Sequence, residues 1–405
     1  MSNKIDNIQA EEILDSRGNP TMKVTVSSGI SVGSFSVPSG ASTGAHEAYE
    51  LRDKDGKGVS EAIGNINNII APALIGVDAI YQQDIDEAML KMDGTKNKHN
   101  LGGNAMIGVS VACARLGASV SKLETFEYLK TLNFSSAQPF IPYLYMNLIN
   151  GGKHAKNGLA FQEYHVVPVT VAPKEAVEIG LKIQESLRQI ITKNLGQDSL
   201  VQGDEGGFAP KISDVRTPLV YLSEAIKENN LEGQVRLALD VAATSFYKDN
   251  LYFIGEEPLS KEDLMALYNS LIKEFNLLSI EDPFQEEDFE SFAELRANHP
   301  ELIVVGDDLT VTNKDLLEKA IEHKSINGII IKPNQIGTLT ETIDTMKLAQ
   351  NNNVKLIISH RSGETMDDFI ADLAYASGAF GLKAGSPVAK ERRIKYDRLV
   401  NITNK

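Results

Sequence analysis

Six polar or charged residues each follow a short apolar run in the second half of the chain. The runs read VRLAL, LLSI, LIVVG, GIII, KLIIS and FGL, and the residues that follow them are Asp240, Glu281, Asp307, Lys332, His360 and Lys383. They recur at intervals of 23 to 41 residues, close to the length of one strand, loop and helix. A single acidic residue after a strand is often a turn or cap residue, so the succession is the informative signal. It predicts one site built from several strand ends.

Three of these residues, Asp240, Glu281 and Asp307, are carboxylates. Carboxylate oxygens favour Mg²⁺ or Mn²⁺, whereas zinc prefers histidine and cysteine, and the sequence has no HExxH or paired-cysteine pattern. Lys332 would be a general base if burial displaced its proton, or it could extend to solvent. Because carboxylates and a metal shift a lysine pKa in opposite directions, the sequence leaves its protonation open.

Two loop motifs add further polar groups. Glu205 lies in VQGDEGG, where the glycines allow a tight backbone, so it is either a general acid or a turn residue. Arg361 and Ser362 lie in SHRSGE and are suited to a phosphate clamp, since a guanidinium group matches phosphate oxygens. Pairs of this kind are also common on protein surfaces.

The elements that must position these residues indicate an α/β fold. Short apolar strands alternating with helical stretches predict a parallel sheet covered by helices, and strand ends of a (β/α)8-type barrel meet at one mouth. Before the barrel, the pattern predicts a strand at 22–26, a glycine- and serine-rich mobile loop at 36–44 and a helix at 105–122 that buries Cys113. The segment 133–142 reads as a linker. We therefore expect an α+β capping domain at 1–134 and a catalytic barrel at 140–405.

The composition of the chain argues against several classes of function. The 405 residues have a net charge of −15, with 42% hydrophobic and 23% charged residues, which is typical of a globular protein and argues against nucleic acid as the main ligand. The single cysteine and the lack of a signal-like start suit the cytoplasm. The apolar run at 69–77 is too short for a membrane span. No P-loop or GxGxxG motif is present.

Taken together, the motifs resemble those of enolases, the phosphopyruvate hydratases of glycolysis, along essentially the whole chain. The matching strings, in chain order, are DSRGNPT, VPSGASTG, MDGT, NGGKHA, FQEY, GDEGGFAP, ALDVA, SIEDPF, GDDLTVTN, KPNQIGT and SHRSGET. The resemblance implies a carbon–oxygen lyase that reversibly dehydrates 2-phosphoglycerate to phosphoenolpyruvate. It also implies two Mg²⁺ ions at each site, the second arriving with the substrate.

The resemblance also implies a role for each matching residue. Lys332 would be the base that removes the C2 proton, and Glu205 the acid that helps the C3 hydroxyl leave. The metal ligands would be Asp240, Glu281 and Asp307 for the first ion and Ser42 for the second. The substrate contacts would be Arg361 and Ser362 at the phosphate, Lys383 at the carboxylate, and His154 and Glu163 in the closing pocket.

The end of the chain departs from the family pattern. KAGSPVAKER at 383–392 stands where enolases commonly read KTGAPxRSER, and LVNITNK replaces an acidic ending. The resemblance implies a homodimer or an octamer, yet Lys23 and Asn401 replace the charge pair of the usual dimer contact. The mode of assembly therefore stays open.

Two other functions compete with catalysis by an enolase. One is a scaffold role, such as plasminogen capture by a surface-associated fraction or membership of an RNA-processing assembly, whose sequence support is limited to Lys405 and the altered tail. The other is an acid-sugar dehydratase or racemase of the same superfamily, which would use the same three carboxylates. The GASTG, GDEGG and SHRSGET strings argue against it.

Overall fold

A three-stranded antiparallel sheet opens the computed structural model, which describes residues 3–40, 44–134, 140–255 and 258–404. Its strands are β1 (Asn7–Leu14), β2 (Pro20–Ser28) and β3 (Ser31–Ser36), with β2 in the centre. Met22, Val24 and Val26 alternate along β2 and are fully buried, as the period of a half-buried strand requires. The strand predicted at 22–26 therefore lies within β2.

Helices cover one face of this sheet. They are α1 (Ser60–Asn65), α2 (Ala71–Leu74), α3 (Gln82–Asp93), α4 (Gly103–Ser121) and α5 (Thr125–Leu129), with π-helical turns at Ile66–Ile70 and Lys130–Phe134. The predicted helix at 105–122 corresponds to α4, which ends at Ser121 because Lys122 adopts a left-handed conformation with φ of 58°. Cys113 is buried in α4, as expected.

Helix α4 is also long and apolar enough to cross a membrane by length and composition alone. However, 83% of that stretch is buried inside the protein, which is typical of a core helix. Its apolar side chains pack against β2 and β3.

The second part of the chain builds a closed barrel. Its strands in chain order are β4 (Tyr143–Asn150), β5 (Glu163–Pro168), β6 (Val235–Asp240), β7 (Tyr247–Lys248), β8 (Leu251–Phe253), β9 (Pro258–Leu259), β10 (Ser279–Glu281), β11 (Ile303–Gly306), β12 (Gly328–Ile331), β13 (Lys355–Ser359) and β14 (Gly381–Lys383). Eight of them close the barrel in the order β10, β11, β12, β13, β14, β4, β5, β6, while β7, β8 and β9 form a small separate sheet. The barrel is filled by side chains such as Tyr145, Ile330 and Ile357, so it is a packed core and not a pore.

The outer layer of the barrel is helical. Its helices are α6 (Pro173–Leu195), α7 (Thr217–Glu228), α8 (Lys261–Phe275), α9 (Phe289–Asn298), α10 (Lys314–Glu322), α11 (Pro333–Ile336), α12 (Leu339–Asn351), α13 (Phe369–Ser377) and α14 (Lys390–Thr403). Polar caps fix several of their starts: Asn313 accepts from the backbone at the start of α10, and Thr338 does so for α12.

One barrel strand departs from the predicted parallel order. β5 is antiparallel to both β4 and β6. The segment 151–162 that joins β4 to β5 contains only the 3₁₀ turn Gly152–His154, and a parallel return needs a crossover of about a dozen or more residues, usually a helix. The chain therefore turns back as a hairpin. As a result, the first residue of β5, Glu163, pairs with the last residue of β6, Asp240.

Candidate active site

The predicted strand-end residues lie around one cavity at the mouth of the barrel. Asp240 and Glu281 are the last residues of β6 and β10, and Asp307 and Lys332 directly follow β11 and β12. The predicted residues that line the cavity are His154, Glu163, Glu205, Asp240, Asp307, Lys332, Arg361, Ser362 and Lys383. Glu281 belongs to the same group through Lys383, which it contacts.

Two lysines hold the three predicted metal ligands in this structure. Lys383 Nζ lies 2.9 Å from Asp240 Oδ2 and 2.7 Å from Glu281 Oε2. Lys332 Nζ donates a hydrogen bond to Asp307 Oδ2. Burial favours the neutral form of Lys332, but the Asp307 carboxylate outweighs it and leaves the pKa of Lys332 raised. These neighbours therefore favour the ammonium form of Lys332.

The carboxylates fit a hard divalent cation. Burial raises the pKa of Glu281 well above its ordinary value, and repulsion from Asp240 and Asp307 adds to the effect. A cation between these oxygens would relieve that repulsion, and oxygen atoms are the donors that Mg²⁺ prefers. Among the described residues, two sets of three have potential ligand atoms that all lie within 4.8 Å of one another: Asp282 with Asp307 and Asp308, and His154 with Glu163 and Glu205, so Asp307 is the one predicted ligand that belongs to such a set.

Asp282 was not predicted from the sequence, and its role is structural. Its two carboxylate oxygens accept hydrogen bonds from the backbone N–H groups of Asp307 and Asp308 over 2.9 and 2.7 Å. Because both oxygens are engaged by the loop after β11, Asp282 orients Asp307, and it also lines the cavity. No local pattern distinguishes it from the neighbouring Glu281.

The acid side of the cavity contains a pair of buried carboxylates. Glu205 Oε2 accepts a hydrogen bond from Asn147 Nδ2 over 3.0 Å, and its Oε1 lies 3.6 Å from His154 Nδ1 and 3.3 Å from His360 Nε2. Burial would raise the pKa of Glu205, but the two histidines outweigh it and hold that pKa well below its ordinary value. Burial and the Glu205 charge raise the pKa of Glu163. Of the two carboxylates, Glu163 is therefore the one whose environment favours the protonated form.

The anion side is built by the loop after β13 and supported by the amino-terminal domain. Arg361 is buried, and its Nη1 donates to Glu47 Oε2 over 2.9 Å. Ser362 Oγ lies 3.1 Å from His154 Nε2. The backbone of Gly363 pairs with Ser39, where a side chain would not fit, since an added Cβ would lie 2.3 Å from Ser39 Oγ.

The predicted second-metal ligand lies outside the description. Ser42 belongs to residues 41–43, which are not among the described residues. The neighbouring Gly44 lines the cavity, and its N–H donates to Glu47 Oε1 over 2.9 Å. The same Glu47 thus contacts both the loop at 36–44 and the arginine of the anion side.

Sequence reasoning missed three further residues of the site. Glu47 and Gln335 lie on loops and short helices with no diagnostic pattern, yet Gln335 Nε2 donates to Asp307 Oδ1 over 2.9 Å. Arg392, on α14, reaches His360 from the outer layer. His360 was among the predicted strand-end residues and lines the cavity, although the sequence assigned it no chemical role.

Comparison with known proteins identifies the family. Residues 5–129 match the family described as "Enolase, N-terminal domain", and residues 138–405 match "Enolase, C-terminal TIM barrel domain". The chain is 45% identical to a protein named Enolase from Methanocaldococcus jannaschii, over 98% of this chain and 95% of that one. It is 45% identical to Enolase from Campylobacter jejuni subsp. doylei, over 98% and 96% of the two chains. It is 44% identical to Enolase from Methanococcus aeolicus, over 99% and 96%. The chain belongs to the enolase family.

Proposed function

We propose that Lys332 removes the C2 proton of 2-phosphoglycerate and that Glu205 protonates the leaving C3 hydroxyl. The reaction itself follows from family membership: the chain is a lyase that reversibly dehydrates 2-phosphoglycerate to phosphoenolpyruvate in glycolysis. One observation carries the assignment. In the ring of eight strands, β12, which precedes Lys332, is four strands away from β5, which begins at Glu163, and a Glu163 carboxylate oxygen lies within 4.8 Å of one of Glu205. Base and acid therefore approach the substrate from opposite sides.

The base requires a change in its surroundings. Lys332 is held as an ammonium group by Asp307. Charge that neutralises Asp307 lowers the pKa of Lys332, because it removes the partner that stabilises the ammonium form. Lys332 then releases one proton to solvent, and the neutral amine accepts the C2 proton and returns to its ammonium form.

The acid acts together with the neighbouring Glu163. Elimination of hydroxide needs a donor next to the C3 oxygen; the raised pKa of Glu163 favours its protonated form, and Glu205 receives that proton and passes it to the hydroxyl. Asn147 Nδ2 donates a hydrogen bond to Glu205 Oε2 over 3.0 Å, and His154 and His360 lie 3.6 and 3.3 Å from its Oε1. After transfer, the hydroxyl leaves as water.

The remaining assignments concern metal and substrate binding. Membership of the enolase family implies a metal cofactor. We propose two Mg²⁺ ions, the first held by Asp240, Glu281 and Asp307 and the second by Ser42. When bound, Mg²⁺ would supply positive charge that stabilises the intermediate formed when C2 loses its proton. The substrate phosphate is bound by Arg361 and Ser362, with His154 beside them, and its carboxylate by Lys383.

We also propose a cytoplasmic location and assembly as a homodimer or octamer. The relatives do not favour the scaffold role or another acid-sugar dehydratase as the main function. Plasminogen binding by a surface-associated fraction remains a prediction that rests on Lys405, which is not among the described residues. Removal of Lys405 should abolish plasminogen capture if that prediction is correct.

Two substitutions separate the base from the acid. Lys332→Ala should abolish both turnover and the exchange of the C2 hydrogen of 2-phosphoglycerate with solvent deuterium, measured by NMR. Glu205→Gln should abolish turnover, followed by the ultraviolet absorbance of phosphoenolpyruvate, while C2 exchange continues. Lys314→Ala, at an exposed position at the start of α10, is the control. Normal exchange in Lys332→Ala would exclude Lys332 as the base.

A further inference from the structure

Arg392 on α14 is fully buried and connects the two loops that form the acid and anion sides. Its Nη1 donates to His360 Nδ1 over 2.8 Å and to the carbonyl oxygen of Arg361 over 2.6 Å. Its Nη2 donates to the carbonyl oxygens of Asp204 and Ser362 over 3.1 and 2.6 Å. The relative exposure of Arg392 is 0%. The four Nη hydrogens thus have four different acceptors, an arrangement that only a planar guanidinium fork provides.

The contact with His360 determines where the histidine carries its proton. A guanidinium group has donors only, so His360 Nδ1 must accept through its lone pair. Burial, together with the Arg392 charge, lowers the pKa of His360 to about 4, so the ring is neutral near pH 7. A neutral ring with an unprotonated Nδ1 carries its hydrogen on Nε2.

That Nε2 hydrogen lies on the side of Glu205. His360 Nε2 is buried, 3.3 Å from Glu205 Oε1, within reach but not aligned as a full hydrogen bond in this structure. Contacts of this kind often tighten only when the substrate binds. Arg392 also holds the carbonyl group of Asp204, the residue before Glu205, so it constrains both partners of the contact.

We propose that Arg392 is a positioning residue for the dehydration, because it fixes His360 as the Nε2–H tautomer that donates to Glu205. The proposal rests on the proposed role of Glu205 as the acid. It assigns a chemical task to a residue of the outer helical layer that touches neither substrate nor metal ligands. A purely structural arginine would hold the loops together without selecting a tautomer.

The direct test is the tautomeric state of His360 in the full-length protein. Long-range ¹H–¹⁵N correlation spectra of protein labelled in its 7 histidines report which ring nitrogen carries hydrogen, and His360→Gln identifies the His360 signals. We expect a protonated Nε2 and an unprotonated Nδ1 in the wild type at pH 7. A hydrogen on Nδ1, or an imidazolium ring, would overturn the proposal without any variant of Arg392.

Substitutions then connect the tautomer to the reaction. Arg392→Gln should give a mixture of His360 tautomers and lower kcat by about 10- to 100-fold, less than complete loss of a general acid, while C2 exchange continues. Arg392→Lys should lie between this variant and the wild type. Arg393→Lys is the matched control, since its neighbouring guanidinium is half-exposed and pairs with Asp397. An unchanged tautomer or unchanged kcat in a folded Arg392→Gln would contradict the proposal.

If the Arg392 variants fail to fold, substitutions of His360 still test whether turnover depends on a donor at the Nε2 position. Glutamine places an amide donor near the Nε2 position, whereas asparagine places it near Nδ1. His360→Gln should therefore retain at least tenfold more turnover than His360→Asn, and the reverse order would contradict the proposal. Full turnover in Glu205→Gln would instead refute the proposed acid, while leaving the tautomer measurement valid.

Discussion

The ammonium group of Lys383 faces the carboxylate of Glu281 with both oxygens in reach, Oε1 at 2.8 Å and Oε2 at 2.7 Å. Both side chains are buried inside the mouth of the barrel. A lysine that is proposed to bind the substrate carboxylate thus also compensates the charge of the neighbouring carboxylates.

Replacement of Lys383 by methionine tests this compensation. Without the ammonium group, Glu281 and Asp240 would remain buried without their main partner, and loss of one member of a buried ion pair costs about 3–5 kcal/mol. We expect Lys383→Met to have a lower midpoint of thermal unfolding than the wild type in EDTA. Addition of Mg²⁺ should then raise the midpoint of the variant by more than it raises that of the wild type. Lys390→Met, at an exposed position on α14, is the control. Equal stability of Lys383→Met and wild type in EDTA would show that Lys383 does not compensate these charges.

A second prediction concerns Asp86, a carboxylate of α3 that caps a helix of the barrel. Its Oδ2 accepts from Thr340 N and Oγ1 over 2.9 and 2.6 Å, in the first turn of α12. Burial raises the pKa of Asp86 above its ordinary value of 3.8, although these hydrogen bonds oppose the shift. The folded protein therefore binds this proton more tightly than the unfolded chain does, and the contribution of Asp86 to stability is lost as the pH rises from 3.8 through its raised folded pKa.

Asp86→Asn should remove this part of the pH dependence. The free energy of unfolding, measured with urea at a series of pH values above 4, should fall less steeply in the variant than in the wild type. Asp84→Asn, at an exposed position on the same helix, should leave the slope unchanged. Parallel curves for Asp86→Asn and wild type would mean that the carboxyl group titrates normally.

A third prediction concerns the close approach of β3 to α4. A Cβ atom added at Gly33 would lie 2.2 Å from Ala112 O and 2.3 Å from Leu116 N, which are backbone atoms that cannot rotate away. Gly33→Ala should therefore lower the free energy of unfolding by about 1–3 kcal/mol or more. In Gly64→Ala, on α1, the added atom would meet only Asn68 Nδ2 at 3.9 Å, so that variant should be neutral or stabilised by up to about 1 kcal/mol. Similar stability of the two variants would exclude the clash.

The sequence predicted the barrel and most of its mouth because both depend on local patterns. A buried strand reads as a short apolar run, and Asp240, Glu281, Asp307 and Lys332 follow such runs directly. The antiparallel β5 was not predicted, because an apolar run does not show its direction. Its direction depends on the length and content of the connection at 151–162.

The supporting contacts could not be predicted because they join residues far apart in the sequence. Glu47 and Arg361 are 314 positions apart, and Asp204 and Arg392 are 188 apart. No periodicity records such pairings, which arise only when two domains and the outer helices are assembled. The raised pKa of Lys332 has the same origin, since it depends on contact with Asp307 and not on the residues beside Lys332 in the sequence.

The position of Arg392 has a consequence for biosynthesis. All the residues proposed to bind metal or substrate, or to move protons, precede it in the chain, the last of them being Lys383. A nascent chain that has reached Lys383 thus carries every reactive group but lacks the guanidinium that joins the loops around Glu205 and Ser362. A nascent chain should therefore reach full activity only after α14 has docked against these loops, although every proposed reactive group is already present before then.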